Sequence, residues 1–271
     1  MPTQIAGRVR SESRDSDLSN SISVCLLGSF RLLQYGQPLN LCVAGKAMTL
    51  LSSLALHLES GVPRETLLDA LWPEQDTTQS AVSLNSLVYN IQRRVRHESH
   101  DATPVIYANG SYFLNRDAGY TTDIVRFDAL ITGGNRLAAT DKDTEALASY
   151  EQAIDLYRGD LCTGTDVYAV IERERLRANY LSVLGWLADH AYRSRDYGAA
   201  LHHALRILRC DPCREDAHRI VMRAHVRRGE RAQALRQYRV CEQLLRSEFD
   251  IAPEAPTAAL FEVILHDPAS V

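Results

Sequence analysis

The N-terminal part of the chain changes from a two-residue to a helical spacing of apolar positions, which predicts strands followed by helices. Residues 22–41 alternate apolar and polar side chains and are interrupted at Gly28, so we expect two or three short antiparallel strands there. In residues 45–60 and 63–72 the apolar positions recur at the spacing of a helix with one buried face. Two helices are therefore expected directly after the strands.

The stretch 77–97 predicts a third helix with one face for the protein core and the other for a ligand. Its apolar stripe comprises Ala81, Leu84, Val88, Ile91 and Val95, with Leu87 at the edge. The opposite face carries Gln79, Ser83, Ser86, Tyr89, Asn90 and Arg93, and the last turn adds Arg94 and Arg96. Amide and guanidinium groups form paired hydrogen bonds with base edges, and guanidinium groups also pair with phosphates. This face is therefore a candidate DNA-binding surface.

A β-hairpin is predicted directly after the third helix. Val105–Tyr107 and Tyr112–Leu114 are short apolar runs around an Asn-Gly pair, which is the strongest short-range signal for a tight turn between strands. Strands, three helices and a closing hairpin predict a winged helix. In that arrangement the third helix enters the major groove, as in helix-turn-helix docking. Asn109 at the tip of the hairpin and Arg116 just beyond it would then contact the DNA backbone.

Ordinary structural roles remain open for several of these side chains. Polar residues opposite an apolar stripe occur on most surface helices, whether or not they bind a ligand. Tyr89 could cover the edge of the core, since tyrosine often packs its ring against apolar side chains while its hydroxyl remains in contact with solvent. Arg96 could stabilise the C-terminal end of the helix macrodipole. The helix, the hairpin and the order of the elements together favour DNA binding.

From Asp123 onward only helical patterns occur. Two segments, beginning at Asp196 and Glu230, can be superposed with an offset of 34 residues, which places Ala200 on Ala234. This offset is the period of the tetratricopeptide repeat, whose helix pairs bury their apolar faces against neighbouring pairs. We therefore predict a helical domain of about three irregular units.

The expected fold class is mainly α with a small β part. Residues 1–20 are rich in Ser, Arg and Asp and predict a disordered segment. Residues 21–117 predict a winged helix-turn-helix domain, and residues 122–266 predict an all-α domain of tetratricopeptide-like repeats. The boundary between the two domains is expected between residues 117 and 122.

Composition and charge limit the class of function. The chain of 271 residues is 45% hydrophobic and 24% charged, and no apolar run approaches the roughly 20 residues of a membrane helix. In the absence of a secretory signal, its six cysteines are expected to be reduced thiols of a cytoplasmic protein. The net charge of −4 argues against bulk electrostatic coating of nucleic acid. Any DNA binding would therefore depend on a local basic patch.

No metal, cofactor or catalytic site is expected. Cys210 and Cys213 have ligand-like spacing in the sequence CDPC, and His202 and His203 lie one or two turns earlier. A zinc site needs about four ligands, and no second pair occurs, so a turn at a helix end is favoured over a metal or redox site. The histidines and carboxylates form no motif with catalytic spacing, which favours a protein that is not an enzyme.

Two segments resemble a known family. The stretch RETLLDALWPEQDTTQSAVSLNSLVYNIQRRVR, followed by NGSYFLN, resembles the OmpR-type winged helix of the SARP family, the antibiotic regulatory proteins of streptomycetes. The helical half resembles the bacterial transcriptional activator domain that follows this winged helix in the family. The matching runs are ALASYEQAIDLYRGDL, IERERLRANYLSVLGWLADHAYRSRDYGAAL, VMRAHVRRGERAQALRQYRVCEQLL and FDIAPEAPTAALFEVIL.

The resemblance implies a sequence-specific DNA-binding transcription activator. Proteins of the family are similar in binding direct repeats of double-stranded DNA near promoters, often as head-to-tail pairs, and in recruiting RNA polymerase. A homodimer on DNA and the RNA polymerase holoenzyme are thus the implied partners, with no membrane. The alternative is a helical-repeat adaptor whose winged helix does not bind DNA, because Ser21 to Arg116 hold seven basic against seven acidic side chains.

Overall fold

A computed structural model describes the chain over residues 22–39, 43–99, 103–164 and 166–271. The segment 1–20, for which disorder is predicted, lies outside the described residues. The fold is mainly α with a small β part in the N-terminal half, which confirms the predicted fold class.

Two compact units divide the described chain. The first unit comprises the described residues up to Ala129 together with Asp155–Leu176, and the second comprises Leu130–Ile154 and Arg177–Val271. Each unit is therefore discontinuous in sequence. The linear domain boundary between residues 117 and 122 stays a prediction.

The strands and helices follow one another along the described residues as the spacing of apolar positions predicts, with short elements added. In chain order they are β1 (Ile22–Cys25), β2 (Arg31–Gln34), β3 (Gln37–Pro38), α1 (Lys46–Leu56), β4 (Val62–Pro63), α2 (Arg64–Leu71), α3 (Thr77–Ser99), β5 (Val105–Ala108), β6 (Ser111–Leu114), β7 (Tyr120–Thr122), α4 (Asp123–Ala138), α5 (Asp143–Leu156), α6 (Val167–Arg193), α7 (Tyr197–Cys210), α8 (Glu215–Arg227), α9 (Arg231–Phe249) and α10 (Ala255–His266). None of the described helices combines the length and the apolar character needed to cross a membrane.

The first sheet has four strands in the order β3-β2-β1-β7. β1 pairs antiparallel with β2, and β2 pairs antiparallel with β3, as the alternating pattern of residues 22–41 predicts. The fourth strand, β7, pairs parallel with β1 and was not expected. Its three residues are too few for a periodic signal, so this strand depends on the partner that it meets in the folded chain.

The helices α1, α2 and α3 share the core of the winged helix. Leu54 of α1, Leu67 of α2 and Leu84 of α3 are fully buried or nearly so. The amine of Lys46, in the first turn of α1, lies 4.3 Å from the centre of the Trp72 ring, a cation–π contact next to the C-terminal end of α2. These contacts hold the buried face of α3 against the protein and leave its opposite face outward.

A buried carboxylate at the start of α4 anchors the segment that follows β1. Asp123 accepts hydrogen bonds from the backbone N–H groups of Leu26 at 2.8 Å and Leu27 at 3.0 Å. Leu27 also forms an isolated antiparallel bridge with Leu161, and the N–H of Gly28 donates to the carbonyl of Asp160 at 3.0 Å. The segment 155–176 is thereby part of the same unit as the winged helix.

The second unit is built from paired helices with small residues at their contacts. Ala200 of α7 and Ala234 of α9 are both fully buried, as their superposition at an offset of 34 residues predicts. One core cluster joins α6, α7 and α8 through Ala188, Leu201, Ala204, Val221 and Ala224. A second joins α8, α9 and α10 through Met222, Ala234, Leu260 and Ile264. The repeats thus bury their apolar faces against their neighbours.

Candidate nucleic-acid interface

The amphipathic pattern of α3 determines which of its side chains face the solvent. Leu84, Ile91 and Val95 from the predicted stripe are buried, with at most 3% of their surface exposed. Ala81 and Val88 are half-buried at the edges of the stripe. The polar residues on the opposite side of the helix are therefore directed away from the core.

Most of the predicted contact residues on α3 are exposed. They are Gln79, Ser86, Tyr89, Asn90, Arg93, Arg94 and Arg96, whereas Ser83 is half-buried. The side chain of Tyr89 is 63% exposed, so its ring does not cover the edge of the core. Arg93 makes no hydrogen bond or ion pair with any described residue. The structure therefore presents a contiguous polar and cationic surface on this helix.

Arg96 links the end of α3 to the chain that enters the wing. Its guanidinium donates a hydrogen bond to the hydroxyl of Thr103 at 2.6 Å. Arg96 therefore makes a specific hydrogen bond, and it can also interact favourably with the C-terminal end of the helix macrodipole. Arg96 is exposed, as Arg93 and Arg94 are.

The wing is a three-stranded sheet in the order β4-β6-β5. β5 and β6 form the predicted hairpin, with both turn residues in the left-handed region: Asn109 has a φ of 51° and Gly110 a φ of 81°. A two-residue turn with two positive φ values matches the twist of paired strands, which is why Asn-Gly suits it. The N–H of Arg64 donates to the carbonyl of Gly110 at 3.1 Å and ties the hairpin tip to the start of α2. Asn109 is exposed at the tip.

Arg116, the second predicted contact near the wing, has an acidic neighbour. Its Nη1 atom lies 3.5 Å from Oε1 of Glu59, and both side chains are exposed. Such a surface pair contributes little to stability. A phosphate could replace Glu59 at small cost, and contact of Arg116 with DNA stays a prediction.

A cleft of about 400 Å³ lies between α3 and the wing. It is lined by Arg64, Asn85, Val88, Tyr89, Gln92, Tyr107 and Tyr112. The rings of Tyr107 and Tyr112 are 4.7 Å apart, and the Tyr112 hydroxyl donates to Oδ1 of Asn85 at 3.4 Å. Burial raises the pKa of Tyr112 above its ordinary value, while the charge of Arg64 opposes that shift. The phenol therefore stays protonated at neutral pH.

Arg64 lines this cleft and has a buried nitrogen without a partner among the described residues. This nitrogen is the Nε atom of its guanidinium. A buried donor without an acceptor is costly, and an ordered water commonly satisfies such a group.

Sequence reasoning missed Arg64, Asn85, Gln92 and Tyr107. A signal existed for Tyr107, because a two-residue Asn-Gly turn places it opposite Tyr112, the pairing observed in the hairpin. No local signal existed for Arg64, since its position depends on the hairpin tip folding back onto the first residue of α2. Gln92 is directed to the wing, where its amide donates to the carbonyl of Val105 at 3.1 Å.

The CDPC segment forms the turn between α7 and α8. Cys210 is the last residue of α7, and it and Cys213 are half-buried free thiols. Within the described ranges, no group of three or more His, Cys, Asp or Glu side chains is arranged to hold a metal ion. Burial lowers the pKa of nearby His203 to about 4, so this imidazole is neutral at pH 7.

Known proteins similar to this chain are regulatory proteins by name. The regulatory protein DnrI of Streptomyces peucetius is 27% identical over 233 residues, which cover 82% of this chain and 85% of DnrI. The regulatory protein AfsR of Streptomyces coelicolor is 23% identical over 257 residues, 94% of this chain but only 25% of AfsR.

A solved structure and a family model extend these similarities. EmbR of Mycobacterium tuberculosis, solved in complex with a low-affinity phosphopeptide, has a TM-score of 0.72 and 21% identity, over 90% of this chain and 65% of that chain. That likeness shows the fold. The family model of the bacterial transcriptional activator domain matches residues 122–265. Because this match spans more than half of the 271 residues, the chain belongs to that family, and its predicted membership of the SARP group of transcriptional activators is confirmed.

Proposed function

We propose that this protein activates transcription by binding double-stranded DNA through α3 and the wing. The observation that carries the proposal is the exposed polar and cationic face of α3. A regulator of this kind acts in the cytoplasm, where bacterial promoters lie. Its overall net charge of −4 makes this local basic surface the part that meets DNA.

The roles of the side chains follow from their chemistry and their position on α3. Gln79, Ser86, Tyr89 and Asn90 would face base edges in the major groove, where amides and hydroxyls can distinguish base pairs. The three arginines of the last turns would pair with phosphates and set the register of the helix on the duplex. Asn109 at the wing tip and Arg116 would contact the neighbouring backbone.

The helical unit would supply the contact with the transcription machinery. DnrI and AfsR are both named regulatory proteins, and most of the family match lies on this part of the chain. We propose that this part contacts RNA polymerase holoenzyme or a partner, and that two copies bind head-to-tail on direct repeats. The spacing of half-sites then reports the geometry of the pair.

The test begins by selecting bound fragments from the genome of the source organism and reading their shared repeat. Arg93→Ala with Arg94→Ala should then weaken binding of that duplex by roughly tenfold or more, because about two phosphate contacts are lost. The slope of log affinity against log salt should fall by about two. Circular dichroism should show an unchanged helix content. Arg126→Ala, which removes an exposed arginine of α4, is the matched control and should bind as the unaltered protein does.

Two results would contradict the proposal. If no genomic duplex is retained at low salt, the protein is a helical-repeat adaptor whose winged helix makes protein contacts. If a duplex is retained but the double variant binds it with unchanged affinity and salt dependence, the exposed face of α3 is not the contact surface.

A further inference from the structure

A second cleft of about 400 Å³ lies in the helical unit, at the turn between α6 and α7 and the end of α8. It is lined by Tyr192, Arg193, Arg195, Tyr197 and Arg227. The rings of Tyr192 and Tyr197 are 5.5 Å apart and form its aromatic wall. No predicted site residue belongs to this cleft, and the proposed DNA contacts do not use it.

Arg195 occupies a backbone position that favours glycine. Its φ is 63°, and it closes the turn through hydrogen bonds from its own N–H to Tyr192 at 3.0 Å and from the next N–H to Ala191 at 2.9 Å. The corresponding turn, 34 residues later, has the same pair of bonds at 2.9 and 2.8 Å and is closed by Gly229 with a φ of 75°.

The two turns thus have one geometry and different residues. A residue with a side chain is strained at such a φ, and backbone strain of this kind is found most often where the side chain takes part in binding or function. The guanidinium of Arg195, exposed beside the two tyrosines, is the group that glycine would lack.

The positive charge of this cleft is only partly balanced. Arg193 pairs with Asp189 at 2.9 Å and lies 3.9 Å from Asp143. Among the residues that the structure describes, neither Arg195 nor Arg227 reaches a carboxylate within ion-pair distance. Arg227 instead donates to the Tyr192 hydroxyl at a long 3.5 Å. The side chain of Asp196 is engaged at the start of α7, where it accepts from the N–H of Ala199 at 2.9 Å.

We propose that this cleft binds an acidic peptide segment of a partner protein, with Arg195 and Arg227 pairing with its carboxylates. Guanidinium groups bind carboxylates with two parallel hydrogen bonds, and arginine and tyrosine are enriched where protein interfaces gain most of their affinity. A side-chain carboxylate can enter a cleft of about 400 Å³. The inference specifies the partner contact of the proposed function and does not depend on DNA binding.

The test measures fluorescence anisotropy of a labelled peptide rich in Glu and Asp, added to the full chain. A peptide with Gln and Asn in place of the acids is the control probe. Arg195→Gly and Arg227→Gln should each weaken binding of the acidic peptide by roughly tenfold. Arg228→Gln, which changes a neighbouring arginine that already pairs with Glu230, should bind as the unaltered protein does.

Arg195→Gly also separates binding from folding. Because glycine suits a φ of 63°, this variant should keep or raise the Tm while it loses peptide affinity. The proposal is overturned if the full chain binds the acidic peptide no better than the control peptide. It is also overturned if Arg228→Gln weakens binding as much as Arg227→Gln, or if duplex DNA, in the Arg93→Ala and Arg94→Ala background, displaces the peptide. The last result would assign the cleft to phosphates, and none of these outcomes depends on DNA binding by α3.

Discussion

Asp123 illustrates how one residue can decide the packing of a distant segment. A carboxylate removed from water is costly unless hydrogen bonds replace its hydration. Asp123 is 5% exposed and accepts from the N–H groups of Leu26 and Leu27, nearly a hundred positions earlier in the chain. Burial raises the pKa of this carboxyl above its ordinary value, and the two backbone bonds oppose the shift.

We predict that Asp123→Ala lowers the free energy of unfolding by about 2–4 kcal/mol, because two buried N–H groups would lose their acceptor. Urea denaturation at pH 7 measures the change. The exposed Asp69 of α2 is the control, and its change to Ala should alter stability by less than about 0.5 kcal/mol. Equal stability of the two variants would show that water or another group satisfies Leu26 and Leu27.

At the scale of elements, the wing depends on two glycines with positive φ and different surroundings. Gly110 has a φ of 81°, and apart from its two chain neighbours no described residue has an atom within 4 Å of the point that a Cβ would occupy there. Gly61, just before β4, has a φ of 66°, and an added Cβ would lie 2.4 Å from the ring of Phe113. The first glycine is needed only for the backbone, whereas the second also makes room for a neighbouring strand.

We therefore predict that substitutions of the two glycines lower the free energy of unfolding by different amounts. Gly110→Ala should lower the free energy of unfolding by about 1 kcal/mol, the usual strain of a side chain at positive φ. Gly61→Ala should lower it by about 2–4 kcal/mol, because displacement of the Phe113 ring adds to the strain. Thermal and urea unfolding of both variants measure the difference. Equal losses would mean that Phe113 moves aside freely.

At the scale of the whole molecule, the first compact unit extends beyond the residues whose sequence pattern predicts the winged helix. The first compact unit also contains β7, the start of α4 and the segment Asp155–Leu176. These parts supply the parallel partner of β1, the carboxylate of Asp123 and the bridge between Leu27 and Leu161. A fragment that ends at residue 117 would lack all of them.

A fragment of residues 1–117 should consequently unfold without cooperativity and bind DNA poorly, whereas a fragment of residues 1–176 should show a cooperative transition. Leu26 and Leu27 are fully buried in the whole chain, and in the shorter fragment their backbone N–H groups would lose the Asp123 carboxylate that accepts from them. Differential scanning calorimetry of the two fragments measures this. A sharp transition of the shorter fragment near that of the full chain would count against the discontinuous unit.

Much of the candidate DNA surface could be predicted because its signals are local. The exposure of Asn90, Arg93 and Arg94 follows from the period of the apolar stripe in α3, which each turn of the helix repeats. The cleft beside it could not be predicted, because Arg64 and Tyr107 meet only after the hairpin folds back onto α2. The exposure of Tyr89 likewise needed the packing of its neighbours.

What the sequence by itself determined is the set of local structures: the amphipathic α3, the Asn-Gly turn, and the helix pairs repeated at 34 residues. These depend on residues close together in the chain, whose propensities and spacing act over a turn or a strand. The tertiary structure alone decided the parallel strand β7, the buried Asp123 and the two arginine-lined clefts. They join residues far apart in sequence, whose pairing depends on shape and hydrogen bonding in the folded chain.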